Sequence, residues 1–378
     1  MHPLRHVPGP ILWAATPIPF ARSYIRGHAA REISELHKKY DSDIIRTGPN
    51  RLSFTSAQAY TEVRGHRRQG QEEHGKDRAG FYFFSRQHIL GATREDHQRF
   101  RRNLSHGFSA KSMQAQQPLI TQYVDKFIEQ LKGKVSKDER VVDLVSWFNF
   151  VTFDVIGDLA FGSSFDCTAT GKMHPWVQAI FDAMENIAPM TMALTHFGPI
   201  ALLILIKLGV VDIKAQMRQA EFAQTKIKKR LEEAEAGENF RDDFVDAMVG
   251  AGEKKGKERE MSQTEILQNA RFLVLAGSET TATALSGAAW LLCMNPEVQR
   301  KLVQEVRTSF KSEDEIDMFS VNKLRYMLAV LEESMRAFPP VPNSLPRVCA
   351  KGGANICGIY VPGGVSSVFV YLHAPFAL

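Results

Sequence analysis

The sequence has few cysteines, and no two of them lie close together. Cys167, Cys293, Cys349 and Cys357 form no Cys-x-x-Cys pair in a chain of 378 residues. Disulfide frameworks are typical of much shorter secreted chains. We therefore expect no disulfide scaffold and a reducing compartment.

Long apolar runs are also lacking. The opening MHPLRHVPGPILWAATPIPFARSY has neither a signal-peptide core nor a membrane-spanning run. It has five prolines, which predict that no regular helix forms there: Pro3, Pro8, Pro10, Pro17 and Pro19. The stretch PIALLILIKLGVV at 199–211 is too short to cross a bilayer, and Lys207 interrupts it. It is either a buried helix or a patch that dips into a membrane surface.

A strong charge bias is absent as well. The formal net charge is only +5, and we see no clustered basic face, so we expect no nucleic-acid binding. Hydrophobic residues make up 44% and charged residues 24%, which is ordinary for a globular protein. No internal repeat or low-complexity tract divides the chain. We expect one large domain over 1–378.

Hydrophobic periodicity predicts a mainly α-helical protein with a minor β-sheet. Apolar residues recur every three or four positions in AAREISELHKKY, PLITQYVDKFIEQLKG and VQRKLVQEVRTSF. Residues 43–56 predict a hairpin around Gly48-Pro49-Asn50, and ANICGIYVPGGVSSVFVY predicts further strands. EAEAGENFRDD and AGEKKGKEREMS read as charged loops.

The longest predicted helix has an unusual middle. Ser262 and Glu265 form a capping box, and the run from 263 continues without proline to Asn295-Pro296, which open the next helix. The run is apolar nearly all round, so it should be buried. Yet its centre reads GSETT, residues 277–281. Either hydroxyl-to-backbone bonds satisfy a kink, or an acid and an alcohol face a ligand or oxygen.

These motifs resemble the cytochromes P450. AGSETT in a long buried helix is followed by ESMR and then by PPVPNSLPR, in the order and at the spacing of that family. HPLRHVPGP is similar to its proline-rich hinge, REDHQRFRRNLSHGFS to its haem-contacting helix, and FDVIGDLAFGSSF to the helix beneath the central one. The overall pattern resembles fungal microsomal enzymes of secondary metabolism, such as the trichothecene C-15 hydroxylase group.

The resemblance implies a fold, a cofactor and partners. It implies the cytochrome P450 fold, haem (iron protoporphyrin IX), molecular oxygen and NADPH–cytochrome P450 reductase. The implied reaction is hydroxylation of a lipophilic small molecule by a haem-thiolate monooxygenase. The implied location is the cytosolic face of the endoplasmic reticulum membrane, although this chain shows no anchor of its own and a cytoplasmic protein stays open. A peripheral membrane contact is expected only through the short apolar stretch.

The resemblance also implies site residues. Glu279 and Thr280 would guide protons and ordered water to bound oxygen. His97, Arg101 and Arg347 would bind the haem propionates. Four residues would line the substrate pocket, with ordinary core packing as the alternative for each: Phe272, Ala276, Val341 and Leu345.

Glu333 and Arg336 lie one turn apart and have two interpretations. Alone, such a pair is surface decoration. By resemblance, the two form a buried ion pair, completed by a further arginine downstream, that braces the proximal side of the haem. On that interpretation Arg336→Ala gives a poorly folded protein.

One family motif has no match. The loop Phe-x-x-Gly-x-Arg-x-Cys-x-Gly should follow Arg347 by several tens of residues, and neither Cys349 nor Cys357 lies in that pattern. We therefore assign no metal ligand and expect a P450 truncated at both ends, most severely at the C-terminus. Three interpretations stay open: a working monooxygenase of which this chain is a part, a truncated and catalytically inactive relative, and a lipophile-binding protein without redox chemistry.

Overall fold

The computed structural model is mainly helical with a minor sheet, as predicted. It describes residues 2–65, 72–77, 85–136, 141–209, 213–236, 241, 243–250, 261–342 and 344–369, without the side chains of 183, 185–187, 213–220, 223 and 235.

A π-helical turn spans Ala193–Phe197, and short 3-10 turns span Glu313–Glu315 and Val321–Lys323. The α-helices are α1 (Ile11–Ala15), α2 (Ile18–Ile25), α3 (Ala29–Tyr40), α4 (Ala57–Arg64), α5 (Arg94–Gly107), α6 (Ala110–Ser136), α7 (Leu144–Phe161), α8 (Cys167–Thr170), α9 (Pro175–Met192), α10 (Gly198–Lys207), α11 (Ile213–Glu235), α12 (Phe244–Val249), α13 (Gln263–Met294), α14 (Pro296–Ser309) and α15 (Arg325–Ala337).

Short strands from distant parts of the chain form the sheets. A five-stranded sheet has the order β1-β2-β7-β4-β3, and β5 pairs with β6 in a separate hairpin. The β2–β7 pair is parallel and the other pairs are antiparallel. The strands are β1 (Ile44–Gly48), β2 (Arg51–Phe54), β3 (Gly75–Lys76), β4 (Arg347–Val348), β5 (Ala354–Ile356), β6 (Ile359–Val361) and β7 (Ser366–Phe369).

The chain folds into two compact units. Unit 1 comprises Met1–Phe83, Met184–Val211 and Val341–Leu378, and unit 2 comprises Phe84–Ala183 and Asp212–Pro340. A single domain over 1–378 stays a prediction.

Unit 1 is built around its five-stranded sheet. Leu52, Phe54 and Phe369 belong to one core cluster of this unit, and Ile45 belongs to another with Phe20 of α2. Successive residues of a strand point to opposite faces, so the two clusters cover the two faces of the sheet.

Unit 2 is built around α7 and α13, which share its main core. The prediction for α13 is confirmed at both ends: Ser262 caps it through the capping box with Glu265, and α14 begins at Pro296. Gly277 lets the two helices approach closely, because a Cβ there would lie 2.9 Å from Ile156 Cδ1. The hairpin predicted at 43–56 is also confirmed, in unit 1.

The prediction of no helix near the N-terminus is wrong, and so is the buried alternative for the apolar stretch from 199. Prolines do not prevent helices near the N-terminus, because Pro10 and Pro17 stand at the N-caps of α1 and α2, where the missing N–H costs nothing. The stretch from 199 is helical but not buried: Ile200 is 72% exposed and Leu203 is 60% exposed.

Two described segments have the length and composition of a membrane span. Leu144–Phe161 is α7, most of which lies in the core of unit 2. Ala188–Lys207 is mostly exposed, and Gly198, whose φ of +78° no L-residue adopts easily, separates its π-helical turn from α10.

The predicted charged loops are only partly described. The first one begins inside α11, which continues to Glu235. Residues 251–260 of the second lie outside the described residues.

Candidate functional site

Four of the predicted site residues form one stripe along α13. Phe272, Ala276 and Thr280 follow each other at four-residue spacing, and Glu279 lies beside Thr280. The Thr280 hydroxyl donates to the Ala276 carbonyl at 2.6 Å, and the Ser278 hydroxyl donates to Val274 at 2.6 Å. These bonds satisfy the hydroxyl protons of Ser278 and Thr280. The lone pairs of the two hydroxyl oxygens stay available to accept hydrogen bonds.

Unlike the Ser278 and Thr280 hydroxyls, the Glu279 carboxyl makes no hydrogen bond to a described residue. Its Oε2 is buried and has no hydrogen-bond partner among the described residues. Burial raises the pKa of this half-buried carboxyl, because desolvation penalises the charged form. The side chain can therefore hold a proton at a higher pH than an exposed glutamate.

Phe272 stacks on a histidine that the sequence analysis missed. The His88 ring lies 5.0 Å from the Phe272 ring, with an interplanar angle of 7°. Fully buried Asn269 holds the same segment: its Oδ1 accepts from the Ile89 N–H at 2.9 Å, and its Nδ2 donates to the Gln87 carbonyl at 3.1 Å. Only the position of Asn269 in an apolar helix could have indicated this role.

The two basic residues predicted on α5 share one helix face but differ in exposure. His97 is half-buried, and Arg101, one turn further, is exposed. Arg99 instead makes the strong contact of this helix, a bidentate pair with Glu265 at 2.9 and 2.5 Å. The same guanidinium donates to Asp96 at 2.8 Å. The sequence motif indicated the basic helix but not which arginine ties it to α13.

In unit 1, Arg347 lies in a cationic environment. It begins β4 opposite Lys76 of β3 and is half-buried, and its side chain has no hydrogen bond or ion pair to any described residue. Burial first and the Arg64 charge second lower the pKa of Arg347. Burial together with the Arg347 charge lowers the pKa of Lys76 to about 8. An arginine with unused donors beside two other cations fits a bound carboxylate.

The prediction of a buried Glu333–Arg336 pair is wrong. The pair forms, with Arg336 Nε donating to Glu333 Oε2 at 2.7 Å. However, the Arg336 and Glu333 side chains are 51% and 62% exposed. The pair stands on the last turn of α15, where no described residue packs over it, so solvent screens it.

The last two predicted pocket residues lie in unit 1. Val341 is exposed, and Leu345 is half-buried, with its carbonyl accepting a short hydrogen bond from Arg64. Their assignment to a substrate pocket stays a prediction.

None of the four cysteines has the surroundings of a haem ligand. The Cys349 thiol is buried and donates to the Val361 carbonyl at 3.3 Å. Burial raises the pKa of the Cys167 thiol to about 11, which disfavours the thiolate that binds metal. Cys293 is exposed at the end of α13, and Cys357 lies 3.4 Å from the Ser56 hydroxyl. The cationic surroundings of Arg347 would fit a haem propionate, whereas none of these cysteines has surroundings that favour an axial thiolate.

Comparison with known proteins decides the family. The cytochrome P450 family model matches residues 7–374. The chain belongs to the cytochrome P450 family. It is similar to cytochrome P450 monooxygenase astJ of Aspergillus oryzae, with 40% identity over 97% of this chain and 72% of that protein. The averantin hydroxylase of Dothistroma septosporum is 39% identical over 97% of this chain and 67% of its own length. The trichothecene C-15 hydroxylase of Fusarium sporotrichioides is 40% identical over 96% of this chain and 72% of its own length.

Family membership establishes the cofactor, the reaction class and the fold of this chain. This P450 is a haem monooxygenase, and its mainly helical fold with small sheets agrees with the family. The names of its relatives are those of fungal secondary metabolism.

Proposed function

We propose that this P450 hydroxylates a lipophilic small molecule of fungal secondary metabolism, with molecular oxygen and with electrons from NADPH–cytochrome P450 reductase. One observation carries the proposal. In the middle of an unbroken helix of unit 2, Glu279 has a carboxyl oxygen buried without a partner among the described residues, and Thr280 follows it in the sequence. An unpaired acid in a buried helix costs stability, so a helix without a chemical task would rarely keep one there.

Haem bound through a cysteine thiolate activates molecular oxygen, and that is the chemistry the cofactor supplies. The residues of this chain that would hold its propionates are His97 and Arg101 on α5 and Arg347 on β4. The two cations near Arg347, Arg64 and Lys76, which the charge of Glu73 opposes only in part, support this assignment. None of the four cysteines of this sequence lies in the pattern of the axial ligand.

Glu279 and Thr280 would handle protons. Burial keeps a proton on the Glu279 carboxyl over a wider pH range, so Oε2 can donate it to an ordered water. The Thr280 hydroxyl is fixed by its bond to Ala276, so its free lone pair can accept a hydrogen bond in a constant direction.

The substrate would lie against the apolar part of the same stripe. Phe272 and Ala276 present half-buried apolar surface on α13, and the His88–Phe272 stack fixes the ring in one orientation. Val341 and Leu345 of unit 1 are also proposed to contact the substrate. A pocket of such side chains selects lipophilic ligands.

The reduced, carbon-monoxide difference spectrum of the purified full chain tests the function. A thiolate-type band would support it, and a chain that takes up no added haem would contradict it.

Arg347→Gln should weaken haem uptake, measured by absorbance titration with hemin. Arg300→Gln is the matched control, because Arg300 pairs only with exposed Glu297 on α14. Equal uptake by both variants would remove Arg347 from the propionate site.

We also propose that α10 lies on a membrane surface, in agreement with an endoplasmic reticulum location. Phe197, Ile200, Leu203 and Ile204 are each more than half exposed, and no charged residue of α10 precedes Lys207. Ten residues of helix span about 15 Å, which is half of a bilayer core, so α10 is suited to lie in the interface.

Sedimentation with phosphatidylcholine vesicles checks the membrane proposal. Leu203→Asn with Ile204→Asn should reduce the bound fraction several-fold without lowering the melting temperature, because neither side chain is buried. Val303→Asn with Phe319→Asn, at exposed apolar positions of unit 2, is the control. Equal losses in both double variants would argue against a specific role for α10.

A further inference from the structure

A histidine stands at the N-cap of α9, in unit 2. The His174 carbonyl accepts the first bond of the helix, from the Gln178 N–H at 3.0 Å. Pro175 follows at the first helical position, where a helix needs no N–H. The first N–H that needs an acceptor therefore belongs to Trp176, and it donates to His174 Nδ1 at 3.1 Å. The imidazole thus takes the place of the short polar side chain that usually caps a helix.

This cap depends on the protonation state of the ring. A neutral imidazole has one nitrogen that accepts a hydrogen bond, whereas both nitrogens of the imidazolium are donors. Because the Trp176 N–H already points at Nδ1 of His174, protonation of that nitrogen would place two donors face to face. A positive charge at this position would also oppose the dipole at the start of α9. Only the neutral ring can therefore hold the first turn.

Aromatic rings surround the cap and connect α9 to its neighbours in unit 2. The centre of the His174 ring lies 5.6 Å from that of Phe165 and 5.4 Å from that of Phe222. The buried Trp176 ring stacks on Phe165 at 5.1 Å and lies 5.5 Å from Phe222. The first turn of α9 is thus held by the cap and by two aromatic rings, one from the loop before α8 and one from α11.

A lysine of α11 contacts the same two rings. The Lys226 ammonium lies 5.1 Å from the centre of the Phe165 ring and 5.7 Å from that of Phe222. It also donates to the Ser164 carbonyl at 3.2 Å, which fixes its position. Since His174 flanks these rings as well, an imidazolium there would lie close to a fixed ammonium, and like charges repel.

Two acidic groups near His174 oppose the lysine only in part. The Asp154 carboxylate of α7 already accepts three backbone N–H groups, Asp166 is the N-cap of α8, and neither forms an ion pair with the ring. The Cys167 thiol, which accepts from the His174 N–H at 3.3 Å, stays neutral because burial raises its pKa to about 11. Burial first and the Lys226 charge second lower the pKa of His174, while the two aspartate charges raise it.

We propose that His174 is a pH-sensitive N-cap: its neutral ring holds the start of α9 against Phe165 and Phe222, and protonation releases that turn. The half-buried ring is open to solvent in part, so a proton can reach it in the folded chain. The capped ring binds a proton more weakly than the ring of an open turn. The turn is therefore fully stable above the ordinary histidine pKa of about 6.5 and loses stability as the pH falls below it. The switch needs no haem, so it is tested separately from the monooxygenase reaction.

Amide hydrogen exchange of the full chain, resolved to single residues at a series of pH values, tests the switch. After correction for the intrinsic exchange rate, protection of the Trp176 amide should fall by up to about tenfold per pH unit below about pH 6.5. His174→Asn should keep the protection and remove this pH dependence, because asparagine caps a helix without titrating. His28→Asn is the matched control, since His28 occupies the N-cap of α3 without a side-chain cap bond. It should leave the Trp176 profile unchanged. The same pH dependence in the native chain and in His174→Asn would overturn the proposal.

Titration of the ring itself separates this role from a merely structural one. The Cε1–H resonance of His174, assigned by its loss in His174→Asn, should titrate below about pH 6.5 in the native chain. Lys226→Met removes the neighbouring cation, so the ring should titrate at a higher pH in that variant. Lys228→Met, at a largely exposed position of the same helix, should leave the titration unchanged. A native ring that titrates at or above the ordinary value would contradict the proposal, as would equal titration in the two lysine variants.

Discussion

Glu279 carries a buried carboxylate oxygen that no described residue hydrogen-bonds, and this has a consequence for stability. Below the ordinary carboxyl pKa the group is protonated in both the folded and the unfolded chain. As the pH rises, the unfolded chain releases its proton first, because burial raises the pKa of Glu279 in the folded chain. The native fold therefore loses stability through that window.

We predict that Glu279→Gln melts at a higher temperature than the native chain near neutral pH and that the gap shrinks as the pH falls towards 4. The amide cannot ionise, so it escapes the desolvation cost. Calorimetry at a series of pH values measures the gap. Glu332→Gln, at an exposed position of α15, should show no such trend. A gap that does not change with pH would mean that the carboxyl has a partner.

The effect that we now predict for Arg336→Ala differs from the poor folding that the family motif implied. The exposed pair with Glu333 is screened by water, so Arg336→Ala should leave the melting temperature within about 2 °C of the native value. Arg99→Ala is the comparison, because its bidentate pair with Glu265 is largely shielded. It should cost about 1–3 kcal/mol of unfolding free energy by urea denaturation. A larger loss for Arg336→Ala than for Arg99→Ala would restore the buried interpretation.

At the scale of elements, the sequence predicted helix ends correctly where capping residues next to the end determine them. The capping box at Ser262 and the proline at 296 set the ends of α13, and the structure confirms both. The same reasoning failed for α1 and α2, because proline was read as a helix breaker rather than as a residue of the first turn. Exposure of α10 could not be predicted, because apolar composition is the same for a buried helix and for one on a surface.

The contact between α7 and α13 makes a testable prediction at the same scale. Gly277→Ala should destabilise by about 1 kcal/mol, because the new Cβ meets Ile156 Cδ1 at 2.9 Å. Gly133→Ala in α6 is the matched control, since nothing lies within 4 Å of its Cβ position. It should stabilise by about 0.5–1 kcal/mol through helix propensity alone.

Urea denaturation of both variants measures these changes. Ile156→Val removes the Cδ1 methyl, so combining it with Gly277→Ala should cost less than the sum of the two single changes. Additive costs would show that the helices do not meet at this glycine.

At the scale of the whole molecule, chain connectivity explains what the sequence could not show. The sheet of unit 1 joins residues 44–54 to residues 75–76 and 347–369. Its pairing places Arg51 beside Ser366 and Arg347 beside Lys76, and no local pattern predicts such neighbours. Family motifs predicted roles for Glu279, Thr280 and Arg347, but they could not show which polar groups lack partners among the described residues. Glu279 and Arg347 are two such groups, and proton transfer and propionate binding are proposed there.

Unit 2 is held by a buried ionic cluster that the sequence did not indicate. Arg230 of α11 is 2% exposed and contacts Asp243 at 2.9 Å and Asp246 at 2.8 Å. Both carboxylates belong to the start of α12, where Asp243 is the N-cap. The guanidinium also packs against Gly162 at the end of α7, whose φ of +70° and close contact leave no room for a side chain. One arginine thus connects three helices.

Arg230→Met should therefore destabilise the chain by about 3–5 kcal/mol, because it removes the cation that pairs with both buried carboxylates and leaves Asp243 only the more distant Arg241, at 3.7 Å. Adding Asp243→Asn and Asp246→Asn should recover much of the loss, since asparagine keeps the cap and removes the charge. Lys228→Met, at a largely exposed pair on the same helix, should cost under about 1 kcal/mol. Urea denaturation compares the variants, and hydrogen exchange in α11 and α12 should rise in Arg230→Met alone. If Arg230→Met were no more costly than Lys228→Met, hydrophobic packing rather than charge pairing would be what joins these helices.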